Sequence, residues 1–504
     1  MNRSSSIFIL VVLFLVISLF TCGTDTPKIT TTSSEALKNY NEGVTLEEKF
    51  HESAAIEKYK AAIEFDSSFA MAYYRLSRTY ESGGNLSGAM ESLEQAKQYA
   101  FSSTPLEWMY IFAWEKVLDN DLAGAIQSYA DILKEYPNDR HALFVIGKTY
   151  RLGKNYPESV AALQKLIQKY PKYAPGYNQL GYTYYEMSDY ERATELFKQY
   201  AALEPDEPNP YDSLGDMYRA QGDYPKAIVQ YKKALEINPD FYTSFINLGK
   251  SYFSGGKYDS AIVTYNQFLE AFKDKELQRN ANSDLVEVYI AIGQYDKALE
   301  LINKVIEYSE TAFQRSWAIG KKGYLYYLKN DLSASLDQLN RSLTIFPDAI
   351  WSREWRGLVF LKRQNYDQVF SEAEKMKDLI NRYGLKGYQC SYNNLMGKAA
   401  MEQDLLDEAI MYFKDSLELD RSSCRYLLAT AYFKKGNLQK ATALCEEFFK
   451  YNENHALARF LYAQILEQQN QKDLASAEFQ KFLNIWNDAD KDLPEVVLAK
   501  NALK

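Results

Sequence analysis

Tyr211-Asp-Ser-Leu-Gly-Asp-Met-Tyr-Arg-Ala-Gln-Gly-Asp-Tyr-Pro-Lys-Ala-Ile-Val-Gln-Tyr-Lys-Lys-Ala-Leu-Glu-Ile-Asn-Pro239 contains two helical patterns and the turn that joins them. Leu214, Met217 and Tyr218 fall at helical spacing, and so do Ala227, Ile228, Tyr231 and Leu235. Gln221-Gly-Asp-Tyr224 is the turn, and Pro239 ends the second helix because its ring cannot continue one. The pattern recurs: Ala193, Ala227 and Ala261 lie 34 residues apart, as do Gly181, Gly215 and Gly249, and Pro171, Pro205 and Pro239. A hairpin this small cannot bury its own apolar face and must stack on copies of itself, so the architecture is a solenoid.

Aligned on the small residue of the second helix, the chain gives Ala55, Ala89, Ala125, Ser159, Ala193, Ala227, Ala261, Ala298, Ser335, Val369, Ala409, Ala441 and Ala475, or thirteen hairpins. Twelve residues earlier stands a second small position: Gly43, Ser77, Ala113, Gly147, Gly181, Gly215, Gly249, Val286, Gly323, Gly357, Gly397, Ala429 and Ala463. Two antiparallel helices cross where neither side chain is large, and glycine is accepted there although it costs about 1 kcal/mol against alanine mid-helix. Val286 and Val369 break the rule, so their hairpins are expected to be less regular. Spacing departs from 34 in the second half, placing lengthened connections near residues 273–282, 307–314 and 377–388. A solenoid carries such insertions on its loop faces, as tolerated drift or as contact surface.

With aromatic, Leu-Gly, Tyr, Ala, aromatic, Ala and Pro positions all filled, Tyr211–Pro239 closely resembles the tetratricopeptide repeat. The resemblance runs from about Glu35 to Asn487. It implies an all-α, right-handed superhelical solenoid of about thirteen hairpins, over residues 35–488, whose concave surface is formed by the first helices. It also accounts for much of the tyrosine, of which there are 42: Tyr80, Tyr150, Tyr184, Tyr218, Tyr252, Tyr289, Tyr326 and Tyr432 recur at one first-helix position, expected in the core. Some members grip a peptide C-terminus with Lys, Asn and Arg at set positions; here these are Pro175, Gln179, Asn209, Ser213, Thr243 and Asn247, so that clamp is not expected.

The remaining features concern location and partner class. Arg3 followed by the apolar run Ile7–Phe20 reads as an export signal over residues 1–21, too short for a membrane span. Leu19-Phe20-Thr21-Cys22 resembles the lipobox of bacterial lipoproteins, with Cys22 lipidated, although Phe20 is bulkier than that family prefers. Ordinary cleavage nearby, giving a plain secreted protein, is the other outcome. Residues 22–34 are polar and expected to be a flexible tether. Gly23 lacks the Asp that retains enterobacterial lipoproteins in the inner membrane, which by resemblance leans towards a periplasmic or outer-membrane location. Residues 489–504 are expected to form a capping helix closing the stack. A net charge of −9 argues against nucleic acid as a ligand, which needs a basic stripe.

No catalytic constellation emerges. His51, His141 and His455 stand in distant repeats, and Cys390, Cys424 and Cys445 lack paired spacing, so no metal or cofactor is expected. Cys445 fills an aromatic core slot; a Cys390–Cys424 bridge would need helices closer than they usually pack. Phosphate loops, GxSxG and HExxH are missing, and the chain is read as a non-enzyme. Binding residues are therefore sought on first helices. Trp317 and Trp351 share one repeat position and Trp355 is one turn beyond Trp351, so the three read as one patch, with Arg315, Arg353 and Arg356 near in sequence. Tyr182, Tyr185, Asp212 and Asp216 form a second, acidic and aromatic group. The expected function is a protein–protein interaction scaffold, exported and lipid-anchored, holding a peptide or partner helix on its concave surface. The alternative is a solute- or glycan-binding lipoprotein that uses the tryptophans as a stacking platform beside an outer-membrane transporter.

Overall fold

The computed structural model describes residues 29–419, 424–450 and 452–504; the expected signal segment 1–21 and Cys22 lie outside the described residues. The described residues form 27 α-helices and no strand. They pair as antiparallel hairpins, from α1 (Ser34–Glu48) with α2 (Glu52–Phe65) to α25 (Ala456–Gln468) with α26 (Lys472–Ile485), and end in α27 (Pro494–Ala502). The chain divides into two compact bodies, one up to Met217 and the other from Tyr218 onward.

Each hairpin is locked where its two small residues meet. A Cβ on Gly181 would stand 2.8 Å from the ring of Phe197, and one on Gly249 2.6 Å from Tyr265, both impossible contacts. Where serine replaces alanine or glycine, it bonds across the crossing: Ser159 donates to the Gly147 carbonyl at 2.8 Å and Ser335 to that of Gly323 at 2.8 Å. A polar side chain is tolerated in this dry slot because its donor is satisfied there. Val286 and Val369 are fully buried, and the irregularity beside Val369 is visible in Gly357, which packs on Leu395 of the next hairpin. The closing turn needs one left-handed residue, supplied by Gly222 and Gly256 and elsewhere by Asn120, Asn330 and Asn470.

The recurrent tyrosines are mostly half-buried rather than core. Their faces are covered by cations of the second helices, as with Lys226 over Tyr218 (5.5 Å), Lys232 over Tyr252 (5.8 Å) and Lys297 over Tyr289 (5.4 Å). A tyrosine there keeps its hydroxyl near water while its ring is packed. The fully buried tyrosines are others, among them Tyr59, Tyr129, Tyr231 and Tyr265 on second helices.

The added residues of the second half lengthen helices more than loops. Helix α15 (Lys275–Ala291) and helix α17 (Ala312–Leu328) each run 17 residues, and α20 (Tyr366–Tyr383) runs 18. Asp274 caps α15, a Thr311–Gln314 capping box starts α17, and Gly384 at φ 64° stops α20. Strong caps convert inserted sequence into extra turns.

Both ends carry specific contacts. In the first body, residues 29–33 are held rather than free: the Thr30 N–H donates to Glu107 at 2.8 Å, the Thr31 hydroxyl to Asp66 at 2.6 Å, and Ile29 packs on the core. In the second body, the C-terminal segment packs back on earlier hairpins. Trp486 donates its indole N–H to the Ala291 carbonyl at 2.9 Å, and the Asp490 N–H reaches the Gly293 carbonyl at 2.9 Å. Tyr258 donates to the Asn454 carbonyl at 3.1 Å, and Lys329 lies 3.4 Å from Asp490. Trp486 is buried edge-on against Tyr295, within one apolar cluster that joins Val286, Ala298 and Ile302 to Phe482, Val496 and Ala499. Helix α27 therefore closes a clasp within this body.

Candidate binding site

The most concentrated chemistry in the second body lies on first helices at a fixed register. Fourteen residues before the small residue of the second helix stand Lys321 and Trp355; eleven before it stand Glu287, Tyr324 and Lys398. Helices α15 and α17, α19 (Ile350–Lys362) and α21 (Gln389–Glu402) carry them. Lys321 is the hub. Its ammonium lies 4.9 Å from the Trp355 ring centroid, 5.5 Å from Tyr324 and 5.6 Å from Trp317, and pairs with Glu287 at 2.7 Å. Only 8% of Lys321 is exposed, so its charge is held by π faces and one carboxylate rather than by water. Tyr324 stacks on Trp355 at 5.3 Å and on Tyr327 at 5.9 Å, extending the aromatic surface along α17.

Next to this cage the charges are less well matched. Burial pushes the Glu354 carboxyl above its ordinary value, opposed by Lys398, Ser391 and Lys321. Burial pushes the Lys398 ammonium below its ordinary value, opposed by Glu354. For both groups burial outweighs the opposing charges.

The three tryptophans do not form one patch. Trp317 and Trp355 meet over Lys321, whereas Trp351 is 7% exposed, stacked on Phe346 (6.0 Å) and edge-on to Phe313 (5.0 Å). Repeat equivalence fails here because the shelf differs. Phe346 stands eleven residues after Ser335, while the matching residue before Trp317, eleven after Ala298, is Ser309. Trp351 takes the Phe346 shelf, whereas Trp317 packs on the cluster of Val286, Ile302 and Val305 with Lys321 over its ring. The buried Trp351 indole N–H finds no acceptor.

The nearby arginines are structural in their bonding. Arg353 bonds Glu372 at 3.3 Å and the Pro347 carbonyl at 2.7 Å, Arg356 bonds Glu372 at 2.7 Å, and Arg315 bonds the Ser309 carbonyl at 3.1 Å. Glu372 is 1% exposed and needs that compensation. The Arg353 charge is thus turned inward.

In the first body, α9 (Ala174–Glu186) carries Tyr182 and Tyr185, whose rings meet edge to face at 6.4 Å. Tyr182 also packs on Phe197 and shares a 3.2 Å hydrogen bond with Ser213. Its hydroxyl is pushed well up by burial and by Asp216 and Asp212, so the four residues do lie together. Asp212 is buried, at 8% exposure, which leaves this group closer to a packed polar network than an open surface.

One cluster in the first body carries no local sequence signature. Glu47 bonds Arg75 at 3.2 Å and accepts from Tyr59 at 2.6 Å, and His141 bonds Tyr74 at 2.9 Å and Arg78 at 3.1 Å. Burial and Arg75, Arg78 and Arg140 hold His141 neutral, well below its ordinary value. Arg75 and Arg78 occupy the registers fourteen and eleven before Ala89, those of Lys321 and Tyr324. Reading that register along the array is the signal that finds both clusters. Cys390 donates to the Ser416 carbonyl at 3.2 Å, and burial raises the Cys445 thiol to about 12. Among the described residues no group of three or more His, Cys, Asp or Glu is placed to hold a metal, and no helix is long and apolar enough to cross a membrane.

Family models recognise the repeat. Tetratricopeptide-repeat family models match residues 70–102, 113–174, 162–195, 246–312, 391–423 and 426–492, and a TPR-repeat model matches 215–254. A TPR repeat-containing protein of Methanocaldococcus jannaschii is 23% identical over 224 residues, 42% of this chain and 39% of that protein. The chain thus spans about two fifths of that relative's length. Among solved structures, MamA is 27% identical and covers 33% of this chain and 90% of its own, with a TM-score of 0.30. The APC/C hetero-tetramer Cut9–Hcn1 is 15% identical and covers 80% of this chain and 97% of its own, also with a TM-score of 0.30. The repeat matches, spread from residue 70 to residue 492, identify the chain as one built of tetratricopeptide repeats.

Proposed function

We propose that the protein is an interaction scaffold that takes a peptide or helix of a partner protein on the first-helix face around Lys321. Stacked tetratricopeptide repeats support binding rather than catalysis, since each hairpin adds surface and none adds a reactive constellation. The observation that carries the site is the cage of Trp317, Tyr324 and Trp355 about Lys321, beside the buried charges of Glu354 and Lys398. Aromatic surface next to partly desolvated charge is the composition of binding hot spots. A saccharide platform needs an open ring face; Trp355 is stacked on Tyr324 and Trp351 lies against Phe346, which favours the peptide.

Arg3, the apolar run Ile7–Phe20 and Cys22 support export and an N-terminal lipid anchor, with the repeats on the periplasmic or outer side of a bacterial envelope. The test is crosslinking and pulldown from native membranes. The double variant Trp317→Ala, Trp355→Ala is expected to keep its helical circular dichroism and lose the captured partner. Capture equal to wild type by a folded double variant refutes the site. A Cys22→Ser chain that still partitions into detergent and keeps its mass shift refutes the anchor.

A further inference from the structure

The first body exposes an aromatic patch at the point where the N-terminal segment leaves it. Phe101 is 82% exposed, Phe65 57% and Trp108 38%. Phe112 bridges Phe101 (5.9 Å) and Trp108 (6.1 Å) into one surface. Large side chains held in water on one edge of a folded body mark a contact surface. The chain's exit is fixed beside them. Thr30 bonds Glu107, the residue before Trp108 in the first turn of α5 (Pro105–Leu118), and Thr31 bonds Asp66, the residue after Phe65.

What lies upstream argues for the occupant. Residues 1–28 contain the apolar run Ile7–Phe20 and Cys22, and the seven steps from Cys22 to Ile29 reach at most about 25 Å when fully extended. Pinning at Thr30 and Thr31 keeps this edge of the body within about 25 Å of whatever holds Cys22. We propose that Phe65, Phe101, Trp108 and Phe112 form a membrane-contacting face that rests in the headgroup region of the anchoring bilayer. This rests on the reading that the N-terminus is held at a membrane. Trp and Phe suit that zone, where rings are buried and polar tips stay wet. The neighbouring charges are acidic, Asp66 and Glu107, and Lys97 is paired with Glu94 and Glu115. Contact is therefore apolar insertion, independent of anionic lipid and of salt.

The test uses the full, N-terminally processed chain reconstituted into phosphatidylcholine vesicles containing acyl-brominated lipid, with Trp108→Phe giving the Trp108 emission by difference. Loss of that emission in brominated vesicles, abolished in the double variant Phe65→Ser, Phe101→Ser, is expected. Vesicle-bound protein with unquenched Trp108 overturns the proposal while leaving the anchor intact, and assigns the patch to residues 1–28 or to a second copy if the serine variant also loses a dimer in detergent. Protein that stays in solution overturns the anchor and the proposal together.

Discussion

Replacing Trp486 by Ala tests whether the C-terminal segment closes on hairpins nearly 200 residues earlier. Trp486 is 3% exposed, packs on Phe482 (5.0 Å) and Tyr295 (6.4 Å), and donates to the Ala291 carbonyl at 2.9 Å. Truncating a buried Trp costs about 3–5 kcal/mol, and the Ala291 carbonyl loses a bond worth about 1 kcal/mol. Part of that cost falls on α26, where Phe482 keeps its other neighbours. If about half falls on the clasp, the α15–α16 turn (α16, Tyr295–Glu307) loses about 2 kcal/mol of protection, or roughly 30-fold in exchange rate. Amide hydrogen exchange followed by mass spectrometry reads this directly. Faster exchange is expected at residues 291–295 as well as in α25–α27, with α19 and α21 unchanged. In a solenoid without the clasp, nearest-neighbour coupling confines the effect to the last hairpins. Faster exchange restricted to α25–α27 would refute the clasp.

Other consequences are as concrete. Gly249→Ala, which at an open helix position gains about 1 kcal/mol, is expected to lower stability by about 1–3 kcal/mol because its Cβ meets Tyr265; thermal or urea melts show the sign. Glu372→Ala leaves Arg353 and Arg356 without their carboxylate and is expected to cost about 3–5 kcal/mol, whereas Arg353→Ala leaves partner capture unchanged if its charge is turned inward. His141 is held neutral, and burial lowers His455 to about 4. The unfolded chain then binds more protons than the folded one. Their contribution is complete above about pH 6.5 and is lost as pH falls towards the folded values, up to roughly 3 kcal/mol for His455. His455→Asn, which keeps an acceptor for the Ala458 N–H, should flatten the second body's melting between pH 7 and pH 4.5.

The hairpins were legible because their signal is local and periodic: the Gly181–Ala193 pairing reports a helix crossing that occurs within one repeat. The clasp was not, since Trp486 bonds a backbone carbonyl at Ala291, and carbonyls carry no sequence signature. Repeat equivalence places Trp317 and Trp351 together, but their neighbours differ: Trp351 stacks on Phe346 and Trp317 packs beside Lys321. Sequence alone leaves Arg353 a free cation, whereas in the fold it pairs with Glu372 at 3.3 Å. Lys321 carries no local signal because its partners come from three helices, 34 residues or so apart, and only the shared register links them. The lengthened connections were located correctly, yet their caps at Asp274 and Thr311 turned them into helix.

The central claim is that a partner protein lies against the first helices at Lys321. Site-specific incorporation of a benzophenone amino acid measures it most directly, at Trp355 on that face and at Val263, a 54% exposed residue of a second helix. Irradiation in native membranes is predicted to trap a partner from position 355 and none from 263. A partner trapped from 263 and not from 355 contradicts the account.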